Sequence, residues 1–231
     1  MIALRGAALA YGDRTLWKGL DLDVAAGEFL VVLGHNGSGK TSLLRVLLGL
    51  RRLSAGTVSV HGRPPRRGSD LTGYVPQHRA VPPHTPLRAR DLVGFGVDGH
   101  RWGPRRRPRE ARRRVEDALR DVGAAPFADV PLHLLSGGEL QRVRVAQALA
   151  AGPRVLLCDE PLASLDAEHQ RIVGGLVDRQ RREHGTAVVF VTHEAGPVLP
   201  FADQVLDLGD GTGAAALTGG RERTLSRRET A

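Results

Sequence analysis

One short glycine-rich segment of the chain combines residue types that bind a phosphate group. Residues 34–41 read Gly-His-Asn-Gly-Ser-Gly-Lys-Thr and match the spacing G-x-x-x-x-G-K-[ST] in full. Glycines allow backbone angles at which several N–H groups converge on one phosphate, Lys40 can reach the β- and γ-phosphates, and the Thr41 hydroxyl can ligate Mg²⁺. The segment therefore predicts a nucleoside triphosphate site in which Lys40 also serves catalysis. Its predicted nucleotide-binding residues are Gly34, His35, Asn36, Gly37, Ser38, Gly39, Lys40, Thr41 and Ser42.

The elements on either side of this phosphate loop (residues 34–41) must hold it in place. The apolar run Phe29–Leu33 precedes the loop and predicts a buried strand, and the good helix formers of residues 42–50 follow it. A helix that begins near Lys40 directs its positive N-terminal end at a bound anion. The order strand, loop, helix is thus the context that the motif requires.

Two adjacent carboxylates, Asp159 and Glu160, follow a second apolar run at residues 155–158. In open parallel sheets, ligands lie beyond the carboxyl ends of the strands. We expect Asp159 to hold Mg²⁺ through water beside Thr41, and Glu160 to polarise the water that attacks the γ-phosphate. The alternative is that the pair merely ends a strand, but the nearby phosphate loop favours the catalytic interpretation.

A further motif, Leu-Ser-Gly-Gly-Glu at residues 135–139, opens a helix predicted over residues 137–151. Ser136 and Glu139 have the S-x-x-E spacing of a capping box. A capping box does not explain Gly137 and Gly138, because glycine lowers helix propensity. Two glycines there expose backbone N–H groups at the positive end of the helix, which indicates a second anion-binding position.

With these motifs the chain resembles the ATP-binding subunit of an ABC transporter. The phosphate loop, the signature at residues 135–139 and the strand of residues 155–160 stand in that family's order and spacing, and the resemblance extends over residues 1–208. It implies that ATP and Mg²⁺ are bound and that ATP is hydrolysed. It also implies a homodimer in which each ATP lies between the phosphate loop of one chain and the signature of the other.

Four shorter matches extend the resemblance. Gln77 matches the Q-loop, Ser-Leu-Asp at residues 164–166 the D-loop, His193 the switch histidine, and Tyr11 the aromatic residue that stacks on adenine. In isolation, Gln77 and His193 are ordinary surface residues, and Asp166 could be only the N-cap of the next helix. The resemblance implies catalytic roles for Lys40, Glu160 and His193, metal contacts from Thr41, Gln77 and Asp159, and nucleotide contacts from Tyr11, Gln77, Ser136, Gly137, Gly138, Glu139 and Asp166.

The predicted fold class is α/β, and the resemblance implies a P-loop NTPase core with a mainly parallel sheet. It further implies an N-terminal antiparallel β subdomain and an α-helical subdomain inserted at about residues 78–151. We expect a single ABC ATPase domain over residues 1–208 and a weakly ordered tail at residues 209–231, where no core face is evident. The predicted strands are residues 2–10, 20–24, 29–33, 57–60, 73–77, 155–158, 187–191 and 204–208, and the predicted helices are residues 86–96, 109–122, 137–151 and 167–184, with one short helix before residue 204.

The composition is strongly basic, with 33 Lys and Arg against 25 Asp and Glu and a net charge of +8. Such a charge suits an anionic surface, and some arginines could face lipid headgroups. For the arginine-rich stretch of residues 101–114, the pattern favours a solvated loop and helix face over a binding surface. Aromatic residues make up only 4% of the chain, so we expect no nucleic-acid partner. The single cysteine, Cys158, fits a reducing compartment.

No window of the sequence approaches the length of an apolar membrane span, so the resemblance implies that the permease consists of separate transmembrane subunits. We expect a cytoplasmic protein held through the permease on the inner face of the membrane, and an extracytoplasmic substrate-binding protein in the same system. Residues 74–77, 85–93 and 192–200 are similar to ATPases of zinc and manganese uptake systems. Iron-chelate import, a non-transport ATPase acting on DNA or ribosomes, and a degraded regulatory ATPase are the alternatives.

Overall fold

Two β-sheets, five α-helices and three short 3-10 helices make up the computed structural model, which describes residues 1–77, 82, 85–99, 108–209 and 216–219. The strands are β1 (Ile2–Tyr11), β2 (Arg14–Val24), β3 (Phe29–Leu33), β4 (Ala55–Val60), β5 (Thr72–Val75), β6 (Val155–Asp159), β7 (Ala187–Val191), β8 (Gln204–Asp207) and β9 (Ala216–Gly219). The helices are α1 (Lys40–Leu47), α2 (Ala89–Asp98), α3 (Pro108–Asp121), α4 (Gly137–Leu149) and α5 (Ala167–His184).

The larger sheet has six strands in the order β5-β6-β7-β3-β8-β9, and all pairs are parallel except β8 with β9. Its central strands are apolar throughout because both faces are covered. In β3, Phe29 and Val31 belong to a hydrophobic cluster shared with α4 and α5, whereas Leu30 and Val32 belong to a second cluster shared with α1 and β1. Alternate residues of β3 therefore pack against opposite faces of the sheet.

The smaller sheet is antiparallel, in the order β2-β1-β4. Its buried side chains share a hydrophobic cluster with those of α1. Leu16 and Trp17 of β2 are buried there, while Arg14 and Lys18 are exposed. Because the beginning of β2 lies close to the phosphate loop, with Arg14 near Gly37 and Trp17 near Gly39, this sheet also supplies part of the wall around that loop.

Helices α2, α3 and α4 are inserted between β5 and β6 and pack on one another through Val93, Leu119 and Val143. The arginines of α3 are largely neutralised within the helix itself. Arg112 pairs with Glu116 at 2.9 Å and Arg114 with Glu110 at 3.0 Å. This part of the basic stretch is therefore a solvated helix face, while residues 101–107 and 78–81 lie outside the described residues.

The structure confirms the predicted fold class: an α/β core with a mainly parallel sheet, an antiparallel N-terminal part and inserted helices. Several predicted boundaries differ from the structure. β2 begins at Arg14, six residues earlier than expected. α2 begins at Ala89, three residues later than expected, where the Arg88 N–H donates to Asp91 Oδ2 at 2.9 Å and starts the helix. Within the described residues, no helix is both long and apolar enough to cross a membrane.

One strand lies within the segment beyond residue 208 that we expected to be weakly ordered. Residues 216–219 form β9, which pairs with β8 at the edge of the sheet. β9 has only four residues and lies in a glycine-rich segment. Its apolar pattern is therefore too short to indicate a strand from the sequence. The rest of the tail, residues 210–215 and 220–231, lies outside the described residues.

Candidate functional site

The phosphate loop connects the end of β3 to the start of α1, as the sequence predicts. Gly34, Gly37 and Gly39 have φ angles of 145°, 83° and 100°, which L side chains rarely adopt. At Gly39 there is also no space for a side chain, because a Cβ would lie 2.9 Å from Nε1 of the buried Trp17. Glycine is thus required by both the backbone angle and the close approach of β2. His35 and Asn36 lie exposed at the tip of the loop.

Lys40 is folded over the loop and is only 5% exposed. Its Nζ donates hydrogen bonds to the backbone oxygens of Gly34 at 2.7 Å and His35 at 3.1 Å. The same ammonium lies 3.7 Å from Glu160 Oε1. Lys40 therefore faces both the loop and the carboxylate that follows β6.

Asp159 ends β6 directly opposite the first turn of α1. Its Oδ1 accepts a hydrogen bond from the Thr41 hydroxyl at 3.1 Å, and its Oδ2 accepts one from the Tyr74 hydroxyl at 3.2 Å. Burial raises the pKa of Asp159, and the charge of Glu160 adds to the rise, whereas the bonds from Thr41 and Tyr74 oppose it. The Asp159 carboxylate and the Thr41 hydroxyl are neighbouring hard oxygen ligands, the type of ligand that Mg²⁺ prefers.

Gln77, the third predicted metal contact, lies two residues past the end of β5 and is exposed. β5 neighbours β6 in register, with Val75 opposite Cys158. Gln77 therefore follows the same sheet edge as Asp159. It makes no hydrogen bond within the described part of the chain, so the structure places it near this edge without joining it to Asp159.

Glu160 lies between the other two predicted catalytic residues, Lys40 and His193. Its Oε1 faces Lys40, and its Oε2 lies 3.4 Å from His193 Nδ1. Its backbone has a φ of 47°, the left-handed region, and its N–H donates to the Val191 carbonyl at 3.0 Å. The residue is 14% exposed and His193 is 51% exposed. Parallel pairing of β6 with β7 accounts for the contact, because Asp159 lies opposite Val191.

The signature forms the capping box that its spacing predicts. The Ser136 N–H and hydroxyl donate to Glu139 Oε2 at 2.9 and 2.8 Å, and the Glu139 N–H donates to Ser136 Oγ at 3.3 Å. These bonds lower the pKa of Glu139. Ser136 and Gly137 remain exposed, and within the described residues no hydrogen bond or ion pair joins the signature to the phosphate loop of the same chain.

Gly138 is buried against the ring of His169, so that a Cβ at this position would lie 2.6 Å from His169 Cγ. Asp166 is the N-cap of α5, and its carboxylate accepts from the His169 backbone N–H at 2.8 Å. The His169 Nδ1 lies 2.8 Å from Asp166 Oδ2. The interpretation of Asp166 as an N-cap is therefore correct, and the imidazole connects it to the start of α4.

Tyr11 ends β1 and is 40% exposed. Its hydroxyl lies 3.2 Å from Ser42 Oγ, in the first turn of α1. Two of the predicted nucleotide-binding residues are thus in contact with each other. On the other side of the loop, Arg14 Nη2 donates to the Gly37 carbonyl at 3.3 Å.

The described side chains at this site that were not predicted from the sequence include Tyr74, His169 and Arg51, whose guanidinium lies over the Tyr11 ring. Each touches a predicted residue from a different element of the fold. Tyr74 stands next to the predicted Q-loop segment, but nothing in its spacing indicates Asp159 as its partner. The sequence holds no signal for His169 or Arg51.

Comparison with known proteins agrees with this arrangement. A family model described as "ABC transporter" matches residues 17–163. The zinc import ATP-binding protein ZnuC of Halorhodospira halophila is 35% identical over 213 residues, covering 91% of this chain and 75% of ZnuC. The iron(3+)-hydroxamate import ATP-binding protein FhuC of Bacillus subtilis is 34% identical over 209 residues, covering 88% and 77%. The aliphatic sulfonates import ATP-binding protein SsuB of Pseudomonas putida is 36% identical over 217 residues, covering 94% and 76%.

Solved structures match over almost the whole chain. A metal-chelate type ABC transporter in an inward-facing conformation superposes with a TM-score of 0.84 at 27% identity, covering 96% of this chain and 84% of that one. A dimeric post-hydrolysis state of an ATP-binding cassette, bound to ADP and Pi, superposes with a TM-score of 0.80 at 27% identity, covering 96% and 99%. The fold and the order of the motifs are therefore those of proteins that bind and hydrolyse ATP.

Proposed function

Because this chain belongs to the ABC transporter family, we propose that its ATPase activity powers import through separate permease subunits in the membrane. The observation that carries the proposal is the position of Glu160, held between Lys40 and His193 beside the phosphate loop. A carboxylate at this place is suited to accept the proton of an attacking water. An association with the inner face of the membrane follows from docking on the permease.

The chain's own residues supply most of the proposed chemistry. Lys40 exchanges its two carbonyl acceptors for phosphate oxygens, which are stronger acceptors because they are charged. Thr41 and Asp159 are the candidates to hold Mg²⁺, together with Gln77, and the metal when bound neutralises charge on the phosphates. Glu160 takes a proton as the water oxygen bonds to the γ-phosphorus and the bond to the bridging oxygen of ADP breaks. His193 orients Glu160 and the γ-phosphate.

We further propose that ATP is bound between two copies of the chain. Ser136 and Gly137 are exposed at the start of α4, where free N–H groups and the helix dipole favour an anion. On this proposal, the ATP that the signature contacts is the one bound to the phosphate loop of the partner copy. Asp166 and Glu139 then lie near the same interface. Dimeric relatives support this arrangement.

Hydrolysis by the purified chain tests the assignment of the site. We expect Glu160→Gln to bind ATP and to slow hydrolysis by about 10²–10⁴-fold, because the proton acceptor is lost. Lys40→Ala should weaken ATP binding by about 10–100-fold, because a charge-assisted contact is lost. Phosphate release and calorimetric titration measure the two effects. The control is Glu183→Gln, at an exposed position near the end of α5, which should behave as the parent. If Glu160→Gln hydrolysed ATP at the rate of the parent, the assignment of the site would be refuted.

For the cargo, we propose zinc or manganese ions. The support is the resemblance of residues 74–77, 85–93 and 192–200 to such systems and the similarity to ZnuC. Import of an iron chelate is the second candidate, favoured by the similarity to FhuC and to the metal-chelate type transporter. We also propose that an extracytoplasmic substrate-binding protein delivers the cargo, since the described residues hold no group of three or more His, Cys, Asp or Glu side chains placed to bind a metal ion.

Uptake by cells that lack this chain distinguishes the candidates. We expect such cells to lose high-affinity zinc or manganese uptake, and to regain it with the parent chain but not with Glu160→Gln. Glu183→Gln should restore uptake fully. Loss of uptake for an iron chelate, with zinc and manganese uptake intact, would move the assignment to the second candidate.

A further inference from the structure

The guanidinium of Arg51 covers one face of the Tyr11 ring. Its central carbon lies 3.5 Å from the ring centroid, within the range of a cation–π contact. The Arg51 Nη2 donates to the Ala10 carbonyl at 3.1 Å, and the Nε is buried without a hydrogen-bond partner among the described residues. Burying an Nε without a hydrogen-bond partner costs free energy. A favourable contact with the Tyr11 ring offsets that cost. The Arg51 side chain is therefore held in place by its contacts with the Tyr11 ring and the Ala10 carbonyl at the end of β1.

Tyr11 is held at a second point by the phosphate-loop helix. Its hydroxyl lies 3.2 Å from Ser42 Oγ, one residue after Thr41. The bond to Ser42 lowers the pKa of Tyr11, and the nearby charges of Arg51 and Arg45 act in the same direction. The ring is thus fixed at its edge by Ser42 and on one face by Arg51, while 40% of the residue remains exposed.

The backbone after α1 explains how Arg51 reaches this position. The N–H groups of Leu50 and Arg51 both donate to the Arg45 carbonyl, at 2.8 and 3.2 Å. Gly49 has a φ of 69°, and a Cβ there would lie 2.8 Å from the Pro65 carbonyl oxygen. The chain therefore turns back tightly at the end of α1, and this turn directs Arg51 toward the end of β1.

We propose that Arg51 is a positioning residue for the nucleotide base: it holds the Tyr11 ring in place so that a purine base stacks on the opposite face. The proposal rests on the proposed function, in which Tyr11 stacks on adenine. A ring that is already fixed loses less side-chain freedom when the base binds. The planar guanidinium can lie flat on the ring, whereas a lysine ammonium would act only as a point charge.

Binding of ATP and of inorganic tripolyphosphate, each with Mg²⁺, separates a base contact from a phosphate contact. We expect Arg51→Ala to weaken ATP binding by about three- to tenfold, with tripolyphosphate binding changed by less than about twofold. In hydrolysis, KM for ATP should rise by a similar factor with kcat unchanged. Arg51→Lys should lie between the parent and Arg51→Ala. Arg52→Ala, which removes the exposed neighbour, should match the parent in every assay.

A double-mutant cycle tests whether Arg51 acts through Tyr11. In the Tyr11→Ala background, Arg51→Ala should cause no further loss of ATP affinity. The proposal is overturned if Arg51→Ala leaves ATP binding unchanged, if it tightens binding because Arg51 occupies the face that the base needs, or if tripolyphosphate binding falls equally. A parent chain that binds no ATP would instead overturn the proposed function.

Discussion

Glu160 shows how single side chains at this site depend on residues from other elements. Its left-handed backbone, with φ at 47°, carries a strain of order 1–3 kcal/mol for a residue other than glycine. The bond from its N–H to Val191 and the contacts with Lys40 and His193 offset that strain. The turn after β6 therefore keeps its carboxylate directed at the phosphate loop instead of at solvent.

The contact between Gly138 and His169 allows a direct test of packing at the signature. A Cβ at Gly138 would overlap the imidazole, which cannot swing away freely because Asp166 holds its Nδ1 at 2.8 Å. We expect Gly138→Ala to lower the free energy of unfolding by about 1–3 kcal/mol, as overpacking does, and to lower ATP hydrolysis. Urea denaturation and phosphate release measure the two effects.

A second substitution removes the overlap itself. In Gly138→Ala/His169→Ala, most of the lost stability should return, because the space of the imidazole becomes available to the new methyl group. The matched control is Gly175→Ala, on α5, where a Cβ meets no heavy atom within 4 Å and helix propensity predicts a gain of about 0.5–1 kcal/mol. A Gly138→Ala chain as stable as the parent would show that the ring moves aside.

At the scale of elements, the sequence was sufficient wherever a local pattern determines the structure. The apolar runs of β3, β6 and β7 are buried on both faces and were predicted within one residue of their bounds. The capping box of Ser136 and Glu139 and the N-cap at Asp166 also formed as predicted, since both involve groups three residues apart. The glycine-rich loop likewise fixes its own conformation.

The sequence was insufficient where the position of an element or side chain depends on a partner outside its own segment. β9 is a strand because β8 offers it an edge, and the first half of β2 is a strand because β1 pairs with it from Leu9 to Tyr11. The contacts of Tyr74 with Asp159, of His169 with Gly138 and of Arg51 with Tyr11 have the same origin. They depend on how elements pack, which no spacing within one segment reveals.

For the whole molecule, net charge opposes the association of two copies. Each chain carries a formal charge of +8, and like charges repel over a Debye length of about 30 Å at 0.01 M salt but only about 8 Å at 0.15 M. Bound ATP contributes negative charge and reduces the repulsion. We therefore expect both bound nucleotide and an increase from low to moderate salt concentration to stabilise the proposed dimer.

The salt dependence of the dimer is a prediction that follows from this charge. We expect Glu160→Gln with Mg²⁺ and ATP to dimerise about two- to tenfold more tightly at 0.15 M than at 0.01 M salt, because screening removes the repulsion. Analytical ultracentrifugation measures the dissociation constant. In Arg66→Glu/Arg67→Glu, which changes two exposed residues of the loop between β4 and β5, the lower net charge should reduce the salt effect. A dimer that weakens as salt rises would mean that attractive charge pairs across the interface outweigh the net repulsion.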